Sequence, residues 1–245
     1  MMRKNNIWLL WGIISLLGCQ NDAKKDIRDY YFPLKALEEG LVYEYEPVKM
    51  DSLTPAYWYY RSFISNEGVF LTGTYYEYEL IPLQFVREEL VKNGMLLSDI
   101  RLFEKMDSIR QQQVKVDILS GNVFPFEVSD SSGVFLYKIQ WRPLADTSAL
   151  ITLIKNRRFA GDTLVTLANK KYDAIRFEVK ELVSYEKDGV LEQQYSSTEL
   201  YAKGVGLVYF DKKITNELQW AYQLKARYPM AELEEKFKQS IEAIE

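Results

Sequence analysis

The chain has 245 residues, with 31 basic against 35 acidic side chains, a net charge of −4, and no histidine. The missing histidine removes the usual general base, the usual proton shuttle and the commonest metal ligand, so Ser-His-Asp and Cys-His catalysis are excluded within this chain. Zinc would need carboxylates alone, no cofactor motif is present, and the negative charge without a basic stripe argues against nucleic-acid partners.

The first element is apolar. Arg3 and Lys4 precede the run Ile7 to Leu17, and Gly18 places a small residue before the only cysteine, Cys19. The run is about half the roughly 20 residues that a membrane-spanning helix needs, so it reads as a signal peptide over residues 1–18. Leu16-Leu17-Gly18-Cys19 resembles the lipobox of bacterial lipoproteins. That resemblance implies cleavage after Gly18 and acylation of Cys19 with two or three chains of the palmitate kind. Each buried methylene is worth about 0.8 kcal/mol, so several chains hold where one does not. The membrane, through Cys19, is then the expected partner. Loss of Arg3 and Lys4 leaves 29 basic against 35 acidic residues, a net −6. With Cys19 acylated no disulfide is available, and the fold must be held by its core.

Position two after the cut is Gln20 rather than the aspartate linked to inner-membrane retention in enterobacteria, which favours the outer membrane. Asp22 and Asp26 are mixed with Lys24 and Lys25. They do not reproduce the acidic export signal of some Bacteroidetes-type lipoproteins, so periplasmic and surface faces both stay open. Residues 19–30 are polar, lack apolar periodicity and read as a flexible tether, about ten residues reaching roughly 35 Å at most.

Residues 31–245 read as one β-rich domain. Phe32 to Gly40 predicts a short helical turn, with Pro33 at the first helical position and Gly40 as its stop. Tyr, Val, Phe, Thr and Ile then dominate, as suits pleated surfaces. Leu41–Glu46, Tyr57–Ile64 and Val69–Leu80 alternate, with turn signals at Asn66-Glu67-Gly68, Asn93-Gly94, Gly121-Asn122, Ser131-Ser132-Gly133, Ala160-Gly161-Asp162, Asp188-Gly189 and Asp211-Lys212. Pro82 to Asn93 reads either as a helix, with Leu83, Val86 and Leu90 on one face, or as the first arm of a hairpin turning at Asn93-Gly94. The hairpin is favoured because Met95–Leu102 is β-like and needs a partner. Strands follow at Thr163–Leu167, Tyr172–Tyr185, Leu191–Tyr201, Gly206–Phe210 and Leu218–Leu224. After Pro229, Leu233, Phe237, Ile241 and Ile244 form one apolar stripe of a C-terminal helix.

Glu199 to Val208 carries Tyr201-Ala202-Lys203-Gly204-Val205-Gly206-Leu207-Val208, whose two glycines suggest a bend in a strand. The segment, with the preceding Phe159–Lys180, resembles a pattern in envelope proteins of the LolA/LolB-like, curved half-barrel type. The resemblance covers roughly Ala149 to Phe210. It implies a curved antiparallel sheet, a half-barrel or open barrel, with helices near its mouth. Known members bind lipids, acylated proteins or protein partners in the concavity, and none uses a catalytic triad.

The aromatic load gives the candidate binding surface. Tyr57-Trp58-Tyr59-Tyr60 and Tyr75-Tyr76-Glu77-Tyr78 put aromatics on both faces of a strand, and one face must meet water, a ligand or a protein. Trp58, Tyr60, Tyr76, Tyr78, Tyr201 and Trp220 are the candidate contact residues. Paired acids at Glu44/Glu46, Glu77/Glu79, Glu88/Glu89 and Glu127/Asp130 offer only a distant case for a carboxylate-only hydrolase. The expectation is a non-enzymatic envelope lipoprotein that holds an apolar ligand or acyl chain in a dry cavity with few polar groups. The alternative is an accessory subunit of an outer-membrane protein complex.

Overall fold

The computed structural model of the chain describes residues 24–48, 50, 52–77, 80–106, 110–129 and 133–242. The chain enters through a two-residue strand, β1 (Lys25–Asp26), and two 3-10 turns, Arg28–Tyr30 and Leu34–Leu37. A meander then runs through β2 (Leu41–Pro47), β3 (Ala56–Ser65), β4 (Gly68–Tyr76), β5 (Pro82–Val91), β6 (Gly94–Lys105) and β7 (Gln111–Pro125). The short β8 (Glu127–Val128) leaves the meander to pair with β1. The chain returns through β9 (Phe135–Trp141), β10 (Leu150–Leu167), β11 (Lys170–Glu186), β12 (Val190–Ala202), β13 (Gly206–Lys213) and β14 (Gln219–Tyr228). Helix α1 (Met230–Glu242) ends the described chain.

The sheet is mainly β and antiparallel, as composition and turn signals predict, and curved, as the resemblance implies, but it closes. β9 pairs with both β7 and β10, β14 pairs with β2, and twelve strands form a complete barrel. The expected half-barrel or open barrel is corrected here. No property of one strand tells whether the last will meet the first, because closure depends on cumulative twist and stagger.

Alternation fixes the inside and the outside. On β11, Ile175, Phe177 and Val179 are buried while Arg176, Glu178 and Lys180 are exposed. This is the reverse of a transmembrane barrel, whose strands turn apolar residues outward. On β2, Tyr43 and Tyr45 point inward and are fully buried. Val42 points outward and is covered by α1 through Leu233 and Phe237. The helix therefore lies on the outer wall over β2 and not at a mouth. Of its predicted stripe, the Ile241 side chain and Ile244 fall outside the described residues. Beneath the helix, Glu44 accepts hydrogen bonds from Tyr228 (2.5 Å) and Lys236 (3.1 Å) and pairs with Lys225 (3.2 Å). Burial opposes its charge, but these donors prevail and hold the carboxyl below its usual range.

Three predicted turns lie inside strands. Ala160-Gly161-Asp162 is a bulge within β10, with the register shifting between Phe159 and Asp162. Gly121-Asn122 lies within β7, and Asp211-Lys212 within β13. Ser131 and Ser132 fall outside the described residues. Asn66-Glu67-Gly68, Asn93-Gly94 and Asp188-Gly189 do join hairpins, and Pro82–Val91 is the hairpin arm rather than a helix. The Gly204–Gly206 segment is a hairpin turn between β12 and β13, not a bend in one strand. Gly206 has φ +100, and a Cβ there would stand 2.6 Å from Phe32 Cδ1, so this site takes only glycine.

The tether reading also needs correction from residue 24 onward. Lys25 and Asp26 pair with β8, the Ile27 amide donates to the Phe126 carbonyl at 2.8 Å, and Ile27 is fully buried. The Gly204 amide donates to the Asp29 carbonyl at 2.8 Å. Tyr31 and Phe32 pack edge to face and reach Phe124, Tyr43 and Tyr60. The segment forms a floor across one end of the barrel. A polar stretch with few apolar residues gives no sign of this, because Ile27, Tyr31 and Phe32 dock on a surface built from strands far along the chain.

Candidate functional site

The barrel is not filled. A cavity of about 400 Å³ lies within it, in the range of small-molecule sites. Its floor is Tyr31 and Phe32. Strand alternation brings side chains to it from nearly every strand, and two opposed walls differ in character.

One wall is aromatic. Trp58 and Tyr60 of β3 line it, with Tyr222 and Trp220 of β14 and Phe210 of β13. Trp58 stacks on Tyr60 (centroids 5.7 Å) and on Tyr75 (5.3 Å), and Phe210 stacks on Tyr222 (5.2 Å). These contacts follow from register: Trp58 faces Tyr75, and Phe210 faces Tyr222, across neighbouring strands.

The other wall is charged. β10 stands halfway round the ring from β3 and presents Lys155 and Arg157 inward. Arg157 holds Glu199 of β12 in a two-point pair, Nε to Oε2 at 2.9 Å and Nη2 to Oε1 at 3.1 Å. The Tyr201 hydroxyl also donates to Glu199, at 3.2 Å. Arg157 and Glu199 are only 9% and 8% exposed. Burial opposes both charges, but each partner overrides it: the guanidinium holds the Glu199 carboxyl below its usual range, and Glu199 keeps Arg157 firmly protonated. Nearer the far end, Glu181 of β11 pairs with Lys155 at 3.3 Å and with Lys212 of β13. Burial works against that charge too, and the two lysines hold Glu181 low.

Glu88 of β5 is different. It accepts a hydrogen bond from the Tyr31 hydroxyl and forms no ion pair among the described residues. Burial, aided by the neighbouring Glu199 charge and opposed by Tyr31 and Arg157, pushes its carboxyl up to about 7. The site therefore contains a carboxyl whose proton is exchangeable near neutrality. Glu89, the next residue, points to the other face.

Four of the six predicted contact residues meet here: Trp58, Tyr60, Tyr201 and Trp220. Tyr60 and Tyr201 are buried cavity walls rather than exposed surface, and Trp220 stays 44% exposed. Tyr76 lies on the opposite, outer face, near Tyr59 and Glu234. Tyr78 falls outside the described residues, as do Gly18 and Cys19. The expectation of few polar groups is overturned by the charged wall. Sequence reasoning missed Lys155, Arg157, Glu181, Glu199 and Lys212. The signal was present: Leu153-x-Lys155-x-Arg157-x-Phe159 places two cations at inward positions of an otherwise apolar alternation. Among the described residues no group of three or more acidic, histidine or cysteine side chains is arranged to hold a metal.

No family model matches the chain, and no curated protein matches it. Two solved structures resemble it. One, from Parabacteroides distasonis ATCC 8503 and provisionally described as a lipoprotein, has a TM-score of 0.52 at 12% identity, covering 80% of this chain and 95% of the other. The second, provisionally described as an exported protein with a YmcC-like fold from Bacteroides fragilis NCTC 9343, has a TM-score of 0.48 at 12% identity, covering 81% and 98%. At this identity the first likeness shows a shared fold.

Proposed function

We propose that the protein is an exported envelope lipoprotein, held on the outer membrane by acylated Cys19, that binds an apolar ligand inside its barrel without chemical conversion. The observation that carries this reading is the cavity of about 400 Å³ with an aromatic wall and a closed floor. A space of that size lined by large apolar side chains loses contacts unless something fills it. The lipobox supports the address, and the provisional description of the Parabacteroides distasonis structure is compatible with it.

The test is native mass spectrometry of the chain from position 19, with Cys19→Ser, expressed in a Bacteroidetes-type envelope and purified without detergent exchange. The expected result is an adduct that survives desalting and that Ser197→Phe, which places a ring in the cavity, removes. A bare chain, together with failure to take up added lipid, would overturn the reading.

A second reading has one observation in its favour. β12 pairs with β13 only from Ser196 onward, so the stretch Val190–Tyr195 leaves one edge unpaired beyond the barrel rim. Val190 and Leu191 there are about two-thirds exposed. An unpaired edge with apolar side chains suits strand addition by a protein partner. A co-purifying polypeptide in the same spectrum would favour this accessory-subunit role.

A further inference from the structure

Among the described residues, two buried side-chain nitrogens make no hydrogen bond, and one is Arg157 Nη1. Its other two nitrogens are committed to Glu199, which leaves this donor unsatisfied and buried just behind the part of the cavity wall that Arg157 forms. Unsatisfied buried donors are uncommon in folded proteins and call for a partner. A guanidinium with one edge bound by the protein and one free nitrogen suits a small oxyanion. Opposite stands the aromatic wall, which suits a hydrocarbon.

We infer that the ligand is a long-chain amphiphile with a carboxylate head, the head seated at Arg157 and the tail laid along Trp58, Phe210 and Tyr222. This deepens the apolar-ligand reading and rests on it. The charge balance turns on Glu88. Arg157 and Glu199 cancel, and an added carboxylate would meet Glu88, the remaining acid at this depth. Glu88 is faced by Tyr31 from the floor, Tyr60 from β3, Tyr137 from β9, Arg157 from β10, and Glu199 and Tyr201 from β12. Arg157 is the one cation in that set. Protonated Glu88 tolerates the incoming carboxylate and can donate to it. Ionised Glu88 repels it. Binding should therefore take up a proton and weaken as pH rises through about 7.

The experiment titrates dodecanoic acid and 1-dodecanol into the Cys19→Ser chain and follows the fluorescence of Trp58 and Trp220. At pH 6 the acid should bind at least tenfold tighter than the alcohol. That preference should shrink several-fold by pH 8. In the paired variant Arg157→Met with Glu199→Leu the preference should vanish while the alcohol still binds. If that variant does not fold, Glu88→Gln supplies the second readout: the preference remains and loses its pH dependence. Equal binding of acid and alcohol by the parent chain would overturn the carboxylate seat and leave the apolar reading standing. A preference that survives loss of Arg157 would move the head to the lysines at the far end and also overturn the proposal. Binding of neither compound would overturn the apolar reading and this inference together.

Discussion

The pair Arg157–Glu199 is the sharpest test of how dry the lumen is. Both residues are buried, with about a tenth of each side chain exposed, and joined at two points. Replacing Glu199 by Leu leaves a guanidinium enclosed without its counter-charge. Replacing Arg157 by Met leaves a carboxylate with only the Tyr201 hydroxyl. Breaking a buried pair from one side costs about 3–5 kcal/mol. For a chain of this size 1 kcal/mol moves the melting temperature by roughly 2–4 °C, so each single variant should melt roughly 6–20 °C lower. The double variant removes both charges together and should recover most of that loss. Tyr201 then lacks its acceptor, which leaves a deficit of about 1–3 kcal/mol. Thermal melts by circular dichroism at neutral pH, closed into a double-mutant cycle, read the coupling directly. Single variants within about 1 kcal/mol of the parent would show that water reaches the pair, and the argument for a shielded, unsatisfied Nη1 would fail with it. A double variant no more stable than either single would refute the pairing itself.

Three further outcomes follow from the same structure. Glu88 binds its proton more tightly when folded, from an ordinary 4.5 to about 7, so the stability it supplies is complete below about pH 4.5 and is lost as pH rises through 7, at most about 3 kcal/mol. Glu88→Gln should be the more stable chain at pH 8 in urea titrations, and a parent curve flat between pH 5 and 8 would contradict this. Gly206→Ala combines a φ of +100 with a contact on Phe32 and should cost about 1–3 kcal/mol. Gly189→Ala, which meets nothing within 4 Å, serves as the near-neutral control for equal losses. Cys19→Ser should move the protein from the membrane fraction to the soluble fraction on cell fractionation, and a variant that stays membrane-bound would refute the lipid anchor.

The strand content was legible because alternation survives in a single strand: Trp58 and Tyr60 fall inward and Tyr57 and Tyr59 outward, as the period of two requires. What the sequence hides is cooperative. Closure of the ring rests on β14 meeting β2, some 180 residues apart, and on bulges at Phe159/Asp162 and Leu224/Ala226 that adjust the stagger. Glycine-containing turn signals are ambiguous for the same reason, since the same residue serves a hairpin at Gly94 and a bulge at Gly161. The charged wall was harder still. Each of Lys155, Arg157, Glu181, Glu199 and Lys212 looks like an ordinary surface residue until the register shows that they share one interior.

The floor carries the strongest link between address and cavity. The span from Cys19 to Lys24 can reach no more than roughly 18 Å, half of what a tether running to residue 30 would allow. With Cys19 in a bilayer, the floor end of the barrel is held close to it. β13 begins at the floor, beside the Gly204–Gly206 turn, and runs to Lys212 and Lys213 at the opposite end, where Trp220 faces Lys212 across to β14. The ion-paired, aromatic end of the cavity would then face away from the anchoring membrane, toward whatever delivers or accepts a ligand. This arrangement depends on Ile27, which is fully buried and fixes the segment to Phe126. Ile27→Ala should cost about 2–5 kcal/mol if the segment is part of the core. Hydrogen exchange at Tyr31 and Leu37 should quicken, and dodecanoic acid should bind more weakly because Tyr31 and Phe32 lose their footing. A flexible tether predicts a change within about 0.5 kcal/mol and no effect on the cavity.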